Sequence, residues 1–168
     1  MRVIVGGAGR VGESIARYLV RAGHEVTVID QRPELVQRIA ETVDLRAITG
    51  SASHPAVLRE AGAANADLLV AVTRSDEVNI VACQVANALF NTATRIARIR
   101  QQAYLDRRWE DLFLRQHLAV DVVISPEIEV ARSVARTLLV PGSLAVIPFA
   151  SDQVRLVSVR CDADCPIL

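Results

Sequence analysis

The chain has 168 residues, of which 51% are hydrophobic, and its 19 basic residues are cancelled by 19 acidic ones. This length predicts one domain with an appendage, and the apolar content supplies a core, which excludes a disordered chain. The zero net charge argues against a broad nucleic-acid or lipid-headgroup surface, and no apolar run approaches the ~20 residues that span a bilayer.

The first element is the apolar run Arg2–Gly6. It leads straight into Gly7-Ala8-Gly9-Arg10-Val11-Gly12 and then a helical pattern over Val11–Arg21. Strand, glycine turn and helix in this order cradle the pyrophosphate of a dinucleotide. Gly7 supplies backbone angles closed to other residues, Gly9 a close approach of the main chain to the phosphates, and Gly12 tight packing of helix on strand. The helix start offers N–H groups and a positive dipole end to the anion. Arg10 starts beside the phosphates, or else points to solvent. Ile15, Leu19 and Ala22 share one side of the helix, and Gly23 stops it.

The second strand, Glu25–Ile29, ends in Asp30, eighteen residues past Gly12. An acid at that distance hydrogen-bonds the ribose hydroxyls of the adenosine half. The same residue is placed to cap a helix over Pro33–Glu41, and the two roles are compatible. An acid here repels a 2′-phosphate and so favours NAD over NADP, although Arg32 beside it is of the type that accommodates that phosphate.

Further strands are expected at Leu45–Thr49, Leu68–Val72, Arg95–Arg98 and Val120–Ile124. Helices are expected at Pro55–Ala61, Glu77–Leu89 and Ala103–Arg115. The strands are rich in Val, Ile and Leu without strict alternation, as in strands buried on both faces. Pro33 and Pro55 suit the first turn of a helix. Six strands alternating with helices imply an α/β fold with a doubly wound parallel sheet, whose ligands bind at the carboxyl ends of the strands.

Those ends carry small or polar residues. After the third strand comes Gly50-Ser51-Ala52-Ser53-His54, which can border an adenine, with Ser53 also available to cap the helix at Pro55. After the fourth come Thr73 and Arg74, facing the nicotinamide side or the phosphates, with Ser75 or Asp76 as an N-cap. In the fifth, alternation predicts that Arg98 and Arg100 point the same way. They suit a phosphate or an inter-subunit acid, or form a solvated basic edge.

The chain lacks what hydride transfer needs, a substrate site with an acid or base beside the nicotinamide. His24 precedes the second strand on the wrong edge of the sheet, His54 opens a helix and His117 follows one. No pair resembles a nucleophile with its base. Trp109 is expected to be partly buried in the core, or else to anchor an interface. Cys83 reads as a small core residue. Cys161 and Cys165 do not have zinc-site spacing, and no metal site is expected. The chain runs into its first strand with no signal-peptide pattern, so the cytoplasm is the expected compartment.

Beyond residue 124 the pattern changes. Ser125-Pro126-Glu127 starts a helix to about Leu139, Pro141-Gly142 breaks it, and Leu144–Phe149 and Val154–Arg160 alternate as two strands about a turn at Ser151-Asp152. Two strands are too few for an independent domain, so this tail reads as the start of a second module.

The string Gly-Ala-Gly-Arg-Val-Gly at 7–12, with Asp30, Asp44-Leu45-Arg46 and the run from Gly50 to Ala63, resembles the TrkA-type regulatory subunits of bacterial Trk potassium uptake systems. So do Ala71-Val72-Thr73-Arg74-Ser75-Asp76-Glu77-Val78-Asn79, Val81–Ala86, Phe90-Asn91-Thr92 and Arg95–Arg100. The resemblance covers about residues 1–150. It implies a cytoplasmic RCK (KTN) nucleotide-binding domain that binds NAD(H), and also ATP or ADP. It implies assembly into dimers or tetrameric rings on a potassium-transporting membrane subunit of the TrkH or TrkG type, at the inner face of the plasma membrane, with no catalytic residues. By position, Gly7, Ala8, Gly9, Arg10 and Val11 match the pyrophosphate turn, Asp30 the ribose acid, and Thr73, Arg74 and Arg98 the lining of the nucleotide cleft. Residues 1–124 match the nucleotide-binding domain, 125–140 a crossover helix exchanged between paired domains, and 141–168 the beginning of a C-terminal subdomain. Family members of this type are longer, with two tandem nucleotide-binding halves, so the chain is expected to be truncated. The competing expectations are a fragment of an NAD-dependent oxidoreductase and a scaffold that serves only oligomerisation.

Overall fold

In a computed structural model, residues 1–113, 117–150 and 153–161 are described, without the side chains of residues 107 and 110. The chain forms two compact units, Met1–Ile124 and Ser125–Leu168.

The first unit is built on six strands, β1 (Arg2–Gly6), β2 (Glu25–Asp30), β3 (Arg46–Thr49), β4 (Leu68–Ala71), β5 (Thr94–Arg98) and β6 (Val122–Ile124). They lie side by side in the order β3-β2-β1-β4-β5-β6, every pair parallel. This is the doubly wound order expected, with its reversal between β1 and β4. The connecting helices are α1 (Arg10–Arg21), α2 (Pro33–Thr42), α3 (Pro55–Glu60) and α4 (Asp76–Phe90).

The central strands are covered on both faces, which is why they read as continuous apolar runs. On one face Val3, Val5, Val26, Val28 and Val70 pack with Ala16 of α1 and Ile39 of α2. On the other, Ile4, Ile29 and Leu69 pack with Leu58 of α3 and Ile80, Cys83 and Ala86 of α4. On α1, Gly12 and Ala16 are buried and Ile15 and Leu19 half-buried, but Ala22 is exposed and caps the helix end instead. Gly23 follows it at φ +80°, where a β-carbon would be strained. Burial pushes the Cys83 thiol up to about 12, so it packs as an apolar side chain.

The helix expected at Ala103–Arg115 does not form within the described residues. Two 3₁₀ stretches, Gln102–Leu105 and Arg107–Phe113, replace it, and Trp109 has non-helical angles (φ −118°, ψ 17°). Asp106 explains the break, because its carboxylate accepts the Arg108 N–H at 2.9 Å and competes with the helical hydrogen-bond ladder. Arg115 lies outside the described residues. Trp109 is 56% exposed rather than buried, with the Arg108 guanidinium 5.9 Å from its ring centre.

The second unit contains α5 (Pro126–Leu139) and an antiparallel hairpin of β7 (Ser143–Phe149) and β8 (Val154–Val159). The turn expected at Ser151-Asp152 lies outside the described residues, as does Cys165. Cys161 is exposed and free. No helix among the described residues is long and apolar enough to cross a membrane.

Candidate functional site

At the carboxyl ends of β1, β2, β3 and β4 lies a cleft of about 300 Å³. It is lined by Gly7, Gly9, Ile29, Asp30, Gln31, Arg32, Gly50, Ser51, Ala52, Val72, Thr73, Arg74, Ser75 and Val78. A larger groove of about 650 Å³ opens at the amino ends of the strands, where His24 sits among mixed charges. The first lies at the strand-order reversal, where doubly wound sheets bind ligands.

The glycine turn forms the floor of the cleft. Gly7 N–H donates to Ile29 O at 2.7 Å and Val72 N–H to Gly6 O at 2.7 Å, which wedges the turn between β2 and β4. Gly7 has φ +113°, and a β-carbon there would also meet the main chain of Val72 and Thr73 at 3.1 Å. At Gly12 a β-carbon would fall 1.8 Å from Gly7 O, so α1 meets the turn through its backbone.

Gly9 differs from both. Its φ is −70°, open to any residue, and a β-carbon built on it meets no atom within 4 Å. Neither backbone angle nor packing inside the described chain requires glycine there. It is the N-cap of α1, and no side chain caps the helix, so the donors of the first turn are left for an outside partner. A phosphate group fits these two facts together.

Asp30 does not cap α2. Its Oδ2 accepts the Ala8 N–H of the turn at 2.7 Å, and its Oδ1 accepts the Arg32 N–H at 2.9 Å, with the Arg32 guanidinium 3.6 Å away. The N-cap position of α2 belongs to Arg32, which makes no side-chain cap. Asp30 therefore ties the carboxyl end of β2 to the glycine turn while still lining the cleft. Similarly, Ser53 does not cap α3. Its hydroxyl pairs with that of Ser51 at 2.8 Å, and His54 takes the N-cap position.

Residues 3–126 match the family model described as the TrkA-N domain. The chain belongs to the TrkA-N domain family. This TrkA-N chain is 44% identical, over all of its length, to a Trk system potassium uptake protein TrkA of Azorhizobium caulinodans, of which it covers 37%. It is 46% identical to the protein of the same name from Haemophilus influenzae, covering 95% of this chain and 35% of that one. A TrkA homologue of Pyrococcus abyssi is 33% identical, with 99% of this chain and 72% of that protein covered. The chain thus spans little more than a third of its bacterial relatives. Among solved structures, the TrkA-N domain of inner membrane protein ybaL from Escherichia coli superposes with a TM-score of 0.66 at 22% identity, over 83% of this chain and 96% of that one. The GsuK channel bound to NAD gives 0.65 at 18%, over 88% and 25%. The Kef C-terminal domain of Shewanella denitrificans in its AMP-bound form gives 0.65 at 23%, over 84% and 82%. At these identities the structures establish the shared fold.

The TrkA-N fold brings Gly7, Gly9, Asp30, Thr73 and Arg74 into one cleft. Ala8 is buried behind it, joined through its N–H to Asp30. Arg10 is exposed on the first turn of α1 and Val11 half-exposed behind it, and neither lines the cleft. Arg98 also lies off the lining. Arg100 falls beyond the end of β5, so strand alternation no longer relates it to Arg98, and its guanidinium lies 3.7 Å from Asp76.

Of the two N-cap residues expected for α4, Ser75 takes the role, while the partners of Asp76 and Asn79 on the first turn escaped the reading by motif. Ser75 is the N-cap, accepting the Val78 N–H at 3.3 Å. Asp76 turns the other way and accepts the main-chain N–H groups of Arg100 (2.9 Å) and Gln101 (2.7 Å). Asn79, fully buried, accepts the Thr73 N–H at 2.8 Å and donates to Arg98 O at 2.8 Å. Together they join the carboxyl ends of β4 and β5. The available signal was a polar residue at an inward position of a helix, which must find partners when buried.

Proposed function

We propose that the Met1–Ile124 unit is the nucleotide-sensing part of a regulatory subunit of a Trk-type potassium uptake system, with NAD(H), ATP or ADP as its ligand. The observation that carries this reading is Gly9, a glycine required neither by its backbone angle nor by its packing, placed at a helix start with no side-chain cap in the cleft. The names of the relatives supply the potassium system, and an NAD-bound channel and an AMP-bound Kef domain share the fold.

In this reading the N–H groups at the start of α1, from Gly9 through Arg10 and Val11, hold the phosphates, and the exposed Arg10 side chain adds charge beside them. Asp30 receives the adenosine ribose hydroxyls, and Thr73 and Arg74 face the rest of the ligand. Arg98, off the lining, acts indirectly by anchoring the Asn79 amide through its carbonyl. The nucleotide supplies phosphate charge and bulk, and it biases the domain only as far as its affinity differs between conformations. The domain is read as a sensor rather than an enzyme. Asp30 is the one carboxylate among the described residues lining the cleft, and both its oxygens already accept main-chain hydrogens. Histidine and cysteine are absent from that lining.

The partner proposed is a TrkH/TrkG-like membrane subunit, which places the chain at the cytoplasmic face of the membrane. Residues 125–140 are proposed as the helix that pairs with a second copy. Val130, Val134 and Leu138 recur every four residues along α5, and all are exposed. Residues 141–168 are proposed as the beginning of a C-terminal subdomain.

Calorimetric titration of Asp30→Ala against the parent chain tests the nucleotide reading. The parent is expected to bind NADH or ATP at micromolar concentration. The variant loses both the ribose acceptor and the anchor of Ala8, which lowers affinity at least about 30-fold, the equivalent of about 2 kcal/mol. A folded parent protein that binds neither nucleotide rules the reading out.

A further inference from the structure

The hydrogen bonds behind Thr73 determine which polarity its hydroxyl offers to the cleft. Asn79 is fully buried, and its amide has main-chain partners of known polarity at both ends. The Thr73 N–H, 2.8 Å away, requires the amide oxygen, and the Arg98 carbonyl, 2.8 Å away, requires the amide NH₂. Reversing the amide would set donor against donor and acceptor against acceptor, so its orientation is fixed without reference to hydrogen positions. The amide oxygen then lies 2.7 Å from Thr73 Oγ1, and the hydroxyl must donate to it. The alternative inward partner, Ser75 O at 3.1 Å, is also an acceptor. The single hydroxyl proton is therefore spent inside the protein in either case. One lone pair of Oγ1 meets the Ser75 N–H at 3.3 Å, which leaves the other for an outside group.

We propose that Asn79 is a positioning residue that holds Thr73 as a hydrogen-bond acceptor, so that Thr73 selects a hydroxyl or N–H donor of the ligand and not a phosphate oxygen. The pyrophosphate of a dinucleotide carries no hydrogen at neutral pH and the terminal phosphate of ADP is mostly deprotonated, so neither gains from an acceptor. Thr73 follows β4, on the opposite side of the glycine turn from Asp30. The donor it selects therefore belongs to the second nucleoside half of a dinucleotide, beyond the phosphates. This rests on the nucleotide reading above, and it makes the cleft prefer a dinucleotide over a mononucleotide.

The test is titration of the whole chain and its Thr73→Val and Thr73→Ser variants with NADH and with ADP. Valine keeps the shape of threonine without the hydroxyl. Its expected effect is a loss of about 3- to 10-fold for NADH, the range for one neutral hydrogen bond, with ADP unchanged within about twofold. Serine restores the hydroxyl and the NADH affinity. Asn79→Ala, where it folds, lowers the NADH preference in the same direction. Equal losses for the two ligands, or no loss for either, overturn the inference and leave the nucleotide reading intact. So does a parent chain that binds ADP and not NADH. A parent chain that binds neither removes the nucleotide reading itself.

Discussion

Gly12→Ala is expected to destabilise the domain by about 3 kcal/mol or more, seen as a fall of about 10 °C in the thermal midpoint. The added β-carbon would lie 1.8 Å from Gly7 O and 2.9 Å from Gly7 C, both main-chain atoms. No side chain is available to yield. The helix must slide away from the turn, and the turn is itself pinned by hydrogen bonds to β2 and β4. Sliding opens the packing of Ala16 against β1 and β2, so the strain spreads into the core. A melting curve unchanged within 2 °C, roughly the shift of half a kcal/mol, would show that α1 meets the turn less closely than the structure has it.

Arg95→Met is expected to cost about 3–5 kcal/mol, the loss typical of breaking a buried ion pair from one side. Arg95 is 1% exposed and holds together the amino-end edge of the sheet. Its guanidinium donates to Ala119 O (2.8 Å), Thr92 O (2.6 Å), Asn87 Oδ1 (2.9 Å) and the Asp121 carboxylate (2.7 Å). Methionine fills much of the volume but withdraws the guanidinium donors from these acceptors, although Asp121 keeps the main-chain N–H of residue 95 at 2.8 Å. Among the acceptors is Ala119, in the left-handed region at φ 45°, where a residue with a β-carbon is already strained. Arg95 sits at the amino end of β5, away from the cleft. Nucleotide affinity measured well below the lowered melting temperature is therefore expected to match that of the parent. Chemical denaturation measures the stability, and a change under 1 kcal/mol would contradict the role assigned to this cluster.

The parts of the fold that local pattern determines were legible in the sequence. The run Val3-Ile4-Val5 before three glycines leaves few alternatives to strand, turn and helix, and six apolar runs separated by helical segments imply a parallel sheet. Asp30 was legible as a cleft residue by its distance from the turn. Its bond to Ala8 was not, because that bond exists only once β1 and β2 lie side by side. Asn79 and Arg95 are polar residues whose partners come from neighbouring strands, so their spacing along the chain carries no trace of the pairing. The failed helix at Ala103–Arg115 shows the converse. Its apolar spacing was helical, yet one carboxylate, Asp106, bonding two residues ahead was enough to divert the backbone. Alternation does not extend to Arg100, because it holds only within a strand and β5 ends at Arg98.

The central claim is that Gly9 is a glycine for the sake of a ligand, and Gly9→Ala tests it most directly. At φ −70° with open space around it, alanine fits the folded chain. The thermal midpoint is expected to hold, since the ~0.4–1 kcal/mol gained by restricting the unfolded chain is offset by the preference of an N-cap position for glycine over alanine. Calorimetric titration of the same sample with NADH and ADP is expected to show affinity reduced at least about tenfold, because the methyl group takes the space where the main chain meets the phosphates. A variant as stable as its parent that binds both nucleotides equally well would contradict the claim.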